Sequence, residues 1–358
     1  MNFDLSDEQL MLQETVNQFL ENECDGNKLR EIFDGEAGFD PVLWKGMVEL
    51  GLGGIHLPDE YGGAGLELLD LAVVAETLGF RGAPGPFFGH SIASLAIALG
   101  GSDAQKKKWL PKLATGDATG TFAFGEGDSA WQPDQWTLAA GDKLTGTKRH
   151  VLFASHADLI VVGTAGGGLA VVERDEGTIT TEDEDGADRT RRLEQVTFDG
   201  TPCEALEKGA EVSAHVRDGA LVLLAADAFG GASRLVEMSV DYAKTREQFG
   251  VTIGHFQALK HQLANMAVEV EPARGLYWFA AHAFDHIEDE AERAAAIAKA
   301  HITDRFMQVA RDAVEAHGGI GFTWECDVQI WFKRAMFDRA FLGAPSLHRE
   351  RAAALAGW

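Results

Sequence analysis

Cysteine is scarce in this chain. Cys24, Cys203 and Cys326 are the three present in 358 residues, and they lie far apart. They form no metal-type or redox-type pair, and the simplest setting for them is a reducing cytosol. Positive charge is also short: 31 Lys and Arg stand against 56 Asp and Glu, a formal net charge of -25. Such a surface repels nucleic acid phosphates and anionic lipid heads, which excludes both as broad partners. It repels a coenzyme A thioester as well, so a site for one needs a local basic patch. The first eight residues, Met1 to Glu8, carry no basic, apolar secretory signal. The apolar run from Leu221 to Phe229 is too short to span a bilayer and is interrupted by Asp227. Internal repeats, low-complexity linkers, Gly-x-Ser-x-Gly, P-loop and zinc motifs are missing too. The expectation is a soluble, cytoplasmic protein without a metal.

What is present is a core. Hydrophobic residues make up 46% of the chain, ample for one large or two to three ordinary domains. Ser6, with Gln9 three residues on, reads as a capping box, and Leu10, Leu12, Val16, Phe19 and Leu20 follow at roughly helical spacing. Helices are predicted from Val42 to Leu50, Leu68 to Leu78, His90 to Leu99 and Ala104 to Leu113. Short β-type runs follow at Thr121 to Phe124, Val151 to Phe153, Leu159 to Val162, Leu169 to Val172 and Leu193 to Phe198. Thr178 to Arg192 is acidic and polar, a solvated loop or an edge. Long helices return from Val216 to Lys244, Phe256 to Ile287, Glu290 to His317 and Val328 to Leu342, and Leu347 to Leu355 closes the chain. The expected domains are 1–118 helical, 119–213 β, and 214–358 a four-helix unit. The fold class is α+β, mostly α.

Two segments carry most of the chemistry. Tyr242 to Gln257 reads Tyr-Ala-Lys-Thr-Arg-Glu-Gln-Phe-Gly-Val-Thr-Ile-Gly-His-Phe-Gln, and His317 to Glu325 reads His-Gly-Gly-Ile-Gly-Phe-Thr-Trp-Glu. In isolation, Arg246 followed by Phe249 and Gly250 could simply cap and turn a helix. Arginine also suits a diphosphate through paired charge-assisted hydrogen bonds. Gly318-Gly319-x-Gly321 alone could be a helix breaker. Together, and in this order, the two segments resemble signatures of the acyl-CoA dehydrogenase family. Leu5 to Gln9, Leu50-Gly51-Leu52, Pro58-x-x-Tyr61-Gly62-Gly63-Ala64-Gly65 and Glu76 with Leu78-Gly79 extend the resemblance. It covers nearly the whole chain and is weakest between Gly125 and Glu211.

The resemblance implies an N-terminal helical domain, a middle β-barrel-like domain and a C-terminal four-helix bundle. It also implies FAD, an acyl-CoA substrate and an electron-transfer flavoprotein as acceptor. Arg246, Phe249, Gln257, Gly318, Gly319 and Gly321 would help hold FAD across a subunit interface. Departures from the family pattern are as informative. Its usual glutamate base falls at Leu342, in Phe341-Leu342-Gly343-Ala344, and its minority position falls at Ala220. Neither side chain can take a proton. The flavin-facing loop reads Gly125-Glu126-Gly127-Asp128-Ser129-Ala130-Trp131, where the family has Thr-Glu-Pro and later Ser-Asp. The family's Trp-Ile-Thr-Asn strand is matched by His150-Val151-Leu152-Phe153, and Leu152 lacks the hydroxyl.

The ring side of the site therefore reads as eroded and the Arg246 and Gly318 side as kept. This chain resembles the short, glutamate-lacking partner chains of heterotetrameric, steroid-degrading members, including its ending Leu342-Gly343-Ala344-Pro345-Ser346-Leu347-His348-Arg349. One alternative is a self-sufficient homo-oligomer with a displaced base, for which Asp218, Asp227, Glu126 and Asp338 are the carboxylates to weigh. Another is a scaffold that kept the fold and lost the cofactor. His282 and His286 have the i, i+4 spacing of a helical metal pair, with the bland reading favoured. Glu288-Asp289-Glu290 reads as a solvated cluster at a helix N-terminus, and His317 as a packing residue.

Overall fold

The structure is a computed structural model that describes residues 4–127, 130–174 and 177–358. Its first third is helical: α1 (Asp7–Glu23), α2 (Gly26–Asp34), α3 (Pro41–Glu49), α4 (Leu68–Arg81), α5 (Phe87–Gly100) and α6 (Asp103–Thr115). The strands β1 (Gly120–Ala123), β2 (Lys143–Leu152), β3 (Leu159–Thr164), β4 (Gly168–Glu173), β5 (Ile179–Glu184), β6 (Leu193–Pro202) and β7 (Glu204–Ala205) follow. Next come α7 (Gly209–Thr245), the short pair β8 (Glu247–Gln248) and β9 (Val251–Thr252), α8 (Gln257–Val270), α9 (Arg274–His286), α10 (Glu288–His317), α11 (Val328–Ala340) and α12 (Pro345–Leu355).

The capping box at Ser6 forms as read. The Ser6 hydroxyl accepts from Gln9 N at 3.2 Å, and Gln9 Oε1 accepts from Ser6 N at 2.9 Å. Thr178 to Arg192 contains β5, an edge strand paired antiparallel to β6. The single helix expected from Phe256 to Ile287 is corrected: it is two, α8 and α9, separated by a 3₁₀ turn at Glu271–Ala273. Pro272 lies in that turn, where its missing N–H and its ring interrupt the α-helical ladder. The helix α2 was not anticipated.

The chain forms two compact units. One comprises 35–71 and 84–220. In it β1, β3, β4 and β7 make one sheet and β2, β6 and β5 another. Ile160, Val162 and Val172 from the first sheet pack with Leu144, Val151, Val196 and Phe198 from the second. Inward positions alternate along β6, as a half-buried strand requires.

A histidine ties the helical and β parts of this unit. His90, fully buried on α5, accepts the Gly120 N–H at Nδ1 (3.2 Å), and its Nε2 lies 3.0 Å from the Gly53 carbonyl. These partners require the neutral ring with the proton on Nε2, because a second proton would face a backbone donor. Burial pushes its pKa down to about 4. The folded-state value lies below the unfolded one, so this contribution is complete above about pH 6.5 and is lost as pH falls toward 4. The expected cost is about 3 kcal/mol by pH 4. The gap between urea midpoints at pH 7.5 and 4.5 should narrow in His90→Gln, which cannot titrate, with the rest of the gap carried by other groups such as His56, whose pKa burial lowers to about 3; an unchanged gap would refute the assignment.

The other unit comprises 1–34, 72–83 and 221–358. Its core helix α10 buries a stripe of alanines including Ala294, Ala295, Ala298 and Ala313. Such small side chains let α9, α11 and α12 approach closely. Where α4 meets α7, a Cβ at Gly79 would stand 2.0 Å from the Asp227 carbonyl, and one at Gly230 would stand 1.9 Å from that of Glu76. Both glycines are therefore required by backbone contact between the helices. By length and composition α7 could cross a bilayer, yet 83% of its apolar window is buried within the protein.

Candidate functional site

The two signature segments meet at one end of the second unit. Tyr242, near the end of α7, stacks on His317, at the end of α10, with ring centroids 4.5 Å apart and planes 21° from parallel. His317 Nδ1 also lies 2.8 Å from the Ala313 carbonyl, and burial lowers its pKa. It packs, as its sequence context suggested, and its packing sets both motifs side by side.

Beyond Tyr242 the chain turns through a two-residue hairpin. Glu247 pairs with Thr252 and Gln248 with Val251, leaving Phe249 and Gly250 at the tip. Their φ values are +56° and +79°. This is the geometry of a primed turn, which glycine, asparagine and aspartate normally fill. Phe249 instead holds a bulky ring in the left-handed region, 92% exposed. Phe249 thus combines a strained backbone with an exposed aromatic ring. Arg246, exposed at the base of the hairpin, is fixed through its backbone: its N–H donates to Tyr242 O and its carbonyl accepts from Ile253 N, both at 2.8 Å. Gln257, exposed, is the first residue of α8.

After α10, Gly318 adopts φ +66° and ψ -143°, a region open in practice to glycine alone. A Cβ at Gly318 or Gly319 would meet nothing within 4 Å, so the backbone there is bare. Gly321 differs: a Cβ would lie 2.3 Å from the Val314 carbonyl, so its role is close packing. Ile320, Phe322 and Trp324 are also exposed around this turn. Guanidinium, exposed aromatic and uncovered peptide groups suit an anionic, planar ligand. On this side the residues fit the diphosphate and adenosine parts of FAD.

The two positions at which the resemblance expects a glutamate are buried. Leu342 is fully buried with φ +58°, and its carbonyl lies 3.0 Å from His348 Nε2. Ala220 is likewise fully buried on α7. Asp218, Asp227 and Glu126, three of the four displaced-base candidates, are bonded to other groups. Asp218 accepts from Arg217 Nε and Nη2 at 3.1 and 3.0 Å. Asp227 accepts from Arg334 Nη1 at 3.1 Å on both oxygens. Glu126 accepts from Thr137 N and Oγ1, Leu138 N and Lys148 Nζ. Burial alone would raise its pKa, but these bonds hold it below the usual carboxylate range. Asp338 is fully buried on α11.

The flavin-facing loop is described at Gly125–Gly127 and from Ala130 on; Asp128 and Ser129 lie outside the described residues. Here Trp131, only 7% exposed, stacks on His150, with centroids 5.5 Å apart and planes at 29°. Sequence reading noted Trp131 as a loop member and missed this contact; the signal was a large aromatic where the family has small residues. His282 and His286 approach with ring centroids at 4.6 Å, and among the described residues no third ligand-type side chain completes a metal site.

Comparison with known proteins agrees with this geometry. Residues 6–117 match the acyl-CoA dehydrogenase N-terminal domain and residues 208–356 the C-terminal domain. Acyl-CoA dehydrogenase IpdE2 of Mycolicibacterium smegmatis is 33% identical over 95% of this chain and 96% of its own length. IpdE2 of Mycobacterium tuberculosis is 32% identical over 95% and 94%. A variant of the steroid ACAD Tcur3481–Tcur3483 superposes with a TM-score of 0.90 at 31% identity, covering 98% of both chains. Butyryl-CoA dehydrogenase from Megasphaera elsdenii shares the fold, with a TM-score of 0.89 over the full length of both chains. The chain belongs to the acyl-CoA dehydrogenase family, FAD-dependent oxidoreductases that act on the CH–CH bond of acyl-CoA thioesters.

Proposed function

We propose that this chain is the non-catalytic partner in a heteromeric acyl-CoA dehydrogenase and completes an FAD site whose base and ring pocket belong to a second acyl-CoA dehydrogenase-like subunit. The observation that carries the reading is Leu342. A buried leucine stands where a mobile carboxylate is needed, and its backbone is fixed by the buried His348. Bound FAD supplies the hydride acceptor. This chain's part is binding: Arg246 toward the diphosphate, Phe249 and Gln257 beside it, and the Gly318–Gly319 backbone against it. The substrate is an acyl-CoA oxidised to the 2,3-enoyl-CoA, with electrons passing to an electron-transfer flavoprotein. A steroid side-chain thioester is the favoured acyl group, supported by the likeness to IpdE2 and to a steroid ACAD. A cytoplasmic complex suits the reduced cysteines.

The buried pairings of Asp218 with Arg217 and of Asp227 with Arg334, and the four bonds on Glu126, argue against these three as a displaced base. The test is to purify the chain alone and with candidate acyl-CoA dehydrogenase-like partners and record visible spectra. A colourless lone chain and a yellow complex are expected. Arg246→Ala should weaken FAD retention by the complex roughly ten- to a hundredfold, the scale of a lost charge-assisted bond pair. A lone chain that is yellow and bleached by an acyl-CoA would overturn the reading.

A further inference from the structure

The loop beside β1 offers an inference that deepens the reading above and rests on its assignment of the ring-facing side. We propose that the Trp131 indole is a built-in plug: it fills the space in which this chain's own β-unit would take a flavin ring, so the chain holds no isoalloxazine by itself.

The stack is fixed from three directions. On one side, Glu126 and Ala130 exchange backbone hydrogen bonds at 3.1 Å, closing the loop just before the indole. On the other, the next residue, Gln132, is buried, and its Oε1 accepts from Arg217 Nη1 at 2.7 Å. Beneath, His150 is held in the left-handed region at φ +57°. Glu184 of β5 clamps it there, accepting the His150 N–H at 3.0 Å while lying 2.5 Å from Nδ1. The other carboxylate oxygen accepts from Arg149 Nε at 2.8 Å. A non-glycine residue at positive φ persists where its surroundings over-determine it, and here they do.

Gly125 belongs to the same device. A Cβ at this position would stand 2.6 Å from the Arg149 carbonyl and 3.1 and 3.3 Å from two Trp131 ring carbons. Any side chain at this position would therefore clash with the Arg149 carbonyl and press on the indole, which would have to give by a few tenths of an ångström. Gly125 and Trp131 thus suit one another in this loop.

The test uses the full chain and FAD as the probe. Flavin retained after ultrafiltration is read by absorbance, and seating of the ring by quenching of flavin fluorescence. Wild type and Trp131→Phe, which keeps an aromatic on His150, should retain almost none. Trp131→Gly should raise retention by roughly tenfold or more. His150→Gly, which suits the positive φ and removes the ring beneath the indole, is a second opening should the first not fold. A wild-type chain that seats FAD stoichiometrically would overturn the plug, as would folded Trp131→Gly and His150→Gly chains, checked by far-ultraviolet circular dichroism, with no gain. The complex separates this from the partner reading. A colourless wild-type complex counts against the partner role whatever the lone chain does. A yellow complex that gains a second FAD in Trp131→Gly supports the plug.

Discussion

Asp227→Ala should lower the unfolding free energy by about 3–5 kcal/mol, the cost of leaving a buried charge without its partner. Arg334 is 1% exposed and places Nη1 against both carboxylate oxygens, while Nη2 donates to the carbonyls of Gly82 and Ala83 at 3.3 and 3.1 Å. Removing the carboxylate leaves a guanidinium that cannot lose its proton and cannot reach water. The double replacement Asp227→Leu with Arg334→Met should cost much less than either single change, since it removes both desolvation penalties together. Urea unfolding of the three variants, treated as a double-mutant cycle, measures this. A further variant bears on function. A base at Asp227 would make Asp227→Asn abolish flavin reduction by the complex; the pairing predicts a stability defect with turnover per folded complex retained.

The second large effect belongs to Lys299. Its ammonium is fully buried on α10 and donates to the carbonyls of Asp338 and Arg339 at the end of α11, where a helix terminus favours positive charge. Burial dominates nonetheless and pushes its pKa down to about 7, with Asp338 and Asp304 opposing the fall and Arg339 adding to it. The folded value lies below the unfolded one. Between about pH 7 and 10.5 the unfolded chain therefore binds more protons, and stability rises with pH there. The penalty is absent above that window and complete below it. Between pH 7 and 9.5 this group should add roughly 3 kcal/mol. Lys299→Met should be more stable than wild type at pH 7, and the difference should shrink by pH 9.5. Parallel pH profiles for the two proteins would refute the assignment.

The helical first third, the β-middle and the long C-terminal helices were legible because apolar spacing and capping residues act locally. Ser6 and Gln9 are three residues apart and need nothing else. The turn at Pro272 was passed over because apolar periodicity resumes on both sides of it. At the site, Arg246, Phe249 and the glycines of 318–321 were legible as residue types in order. That Tyr242 and His317 would stack and bring them to one end was not, because the stack joins residues far apart in the chain. The same holds for Trp131 on His150 and for Arg334 on Asp227. Each depends on a long-range contact that no local window contains. The carboxylates weighed as displaced bases looked equivalent in sequence, and only their partners separate them.

The glycine contact between α4 and α7 has a consequence for how the chain is made. The residues that cover Gly79 lie near Asp227, and those that cover Gly230 lie near Glu76. During synthesis α4 leaves the ribosome well over a hundred residues before its docking face exists, with its backbone at Glu76 and Gly79 still lacking Gly230 and Asp227 against it. The unit that α4 completes is assembled from three separated stretches of chain. Its closure therefore waits on the last helices, and a ribosome stalled after the β-middle would hold a nascent chain with an unpaired apolar helix. Yield in a cell should accordingly depend on chaperone capacity more steeply than the stability of the finished protein would suggest.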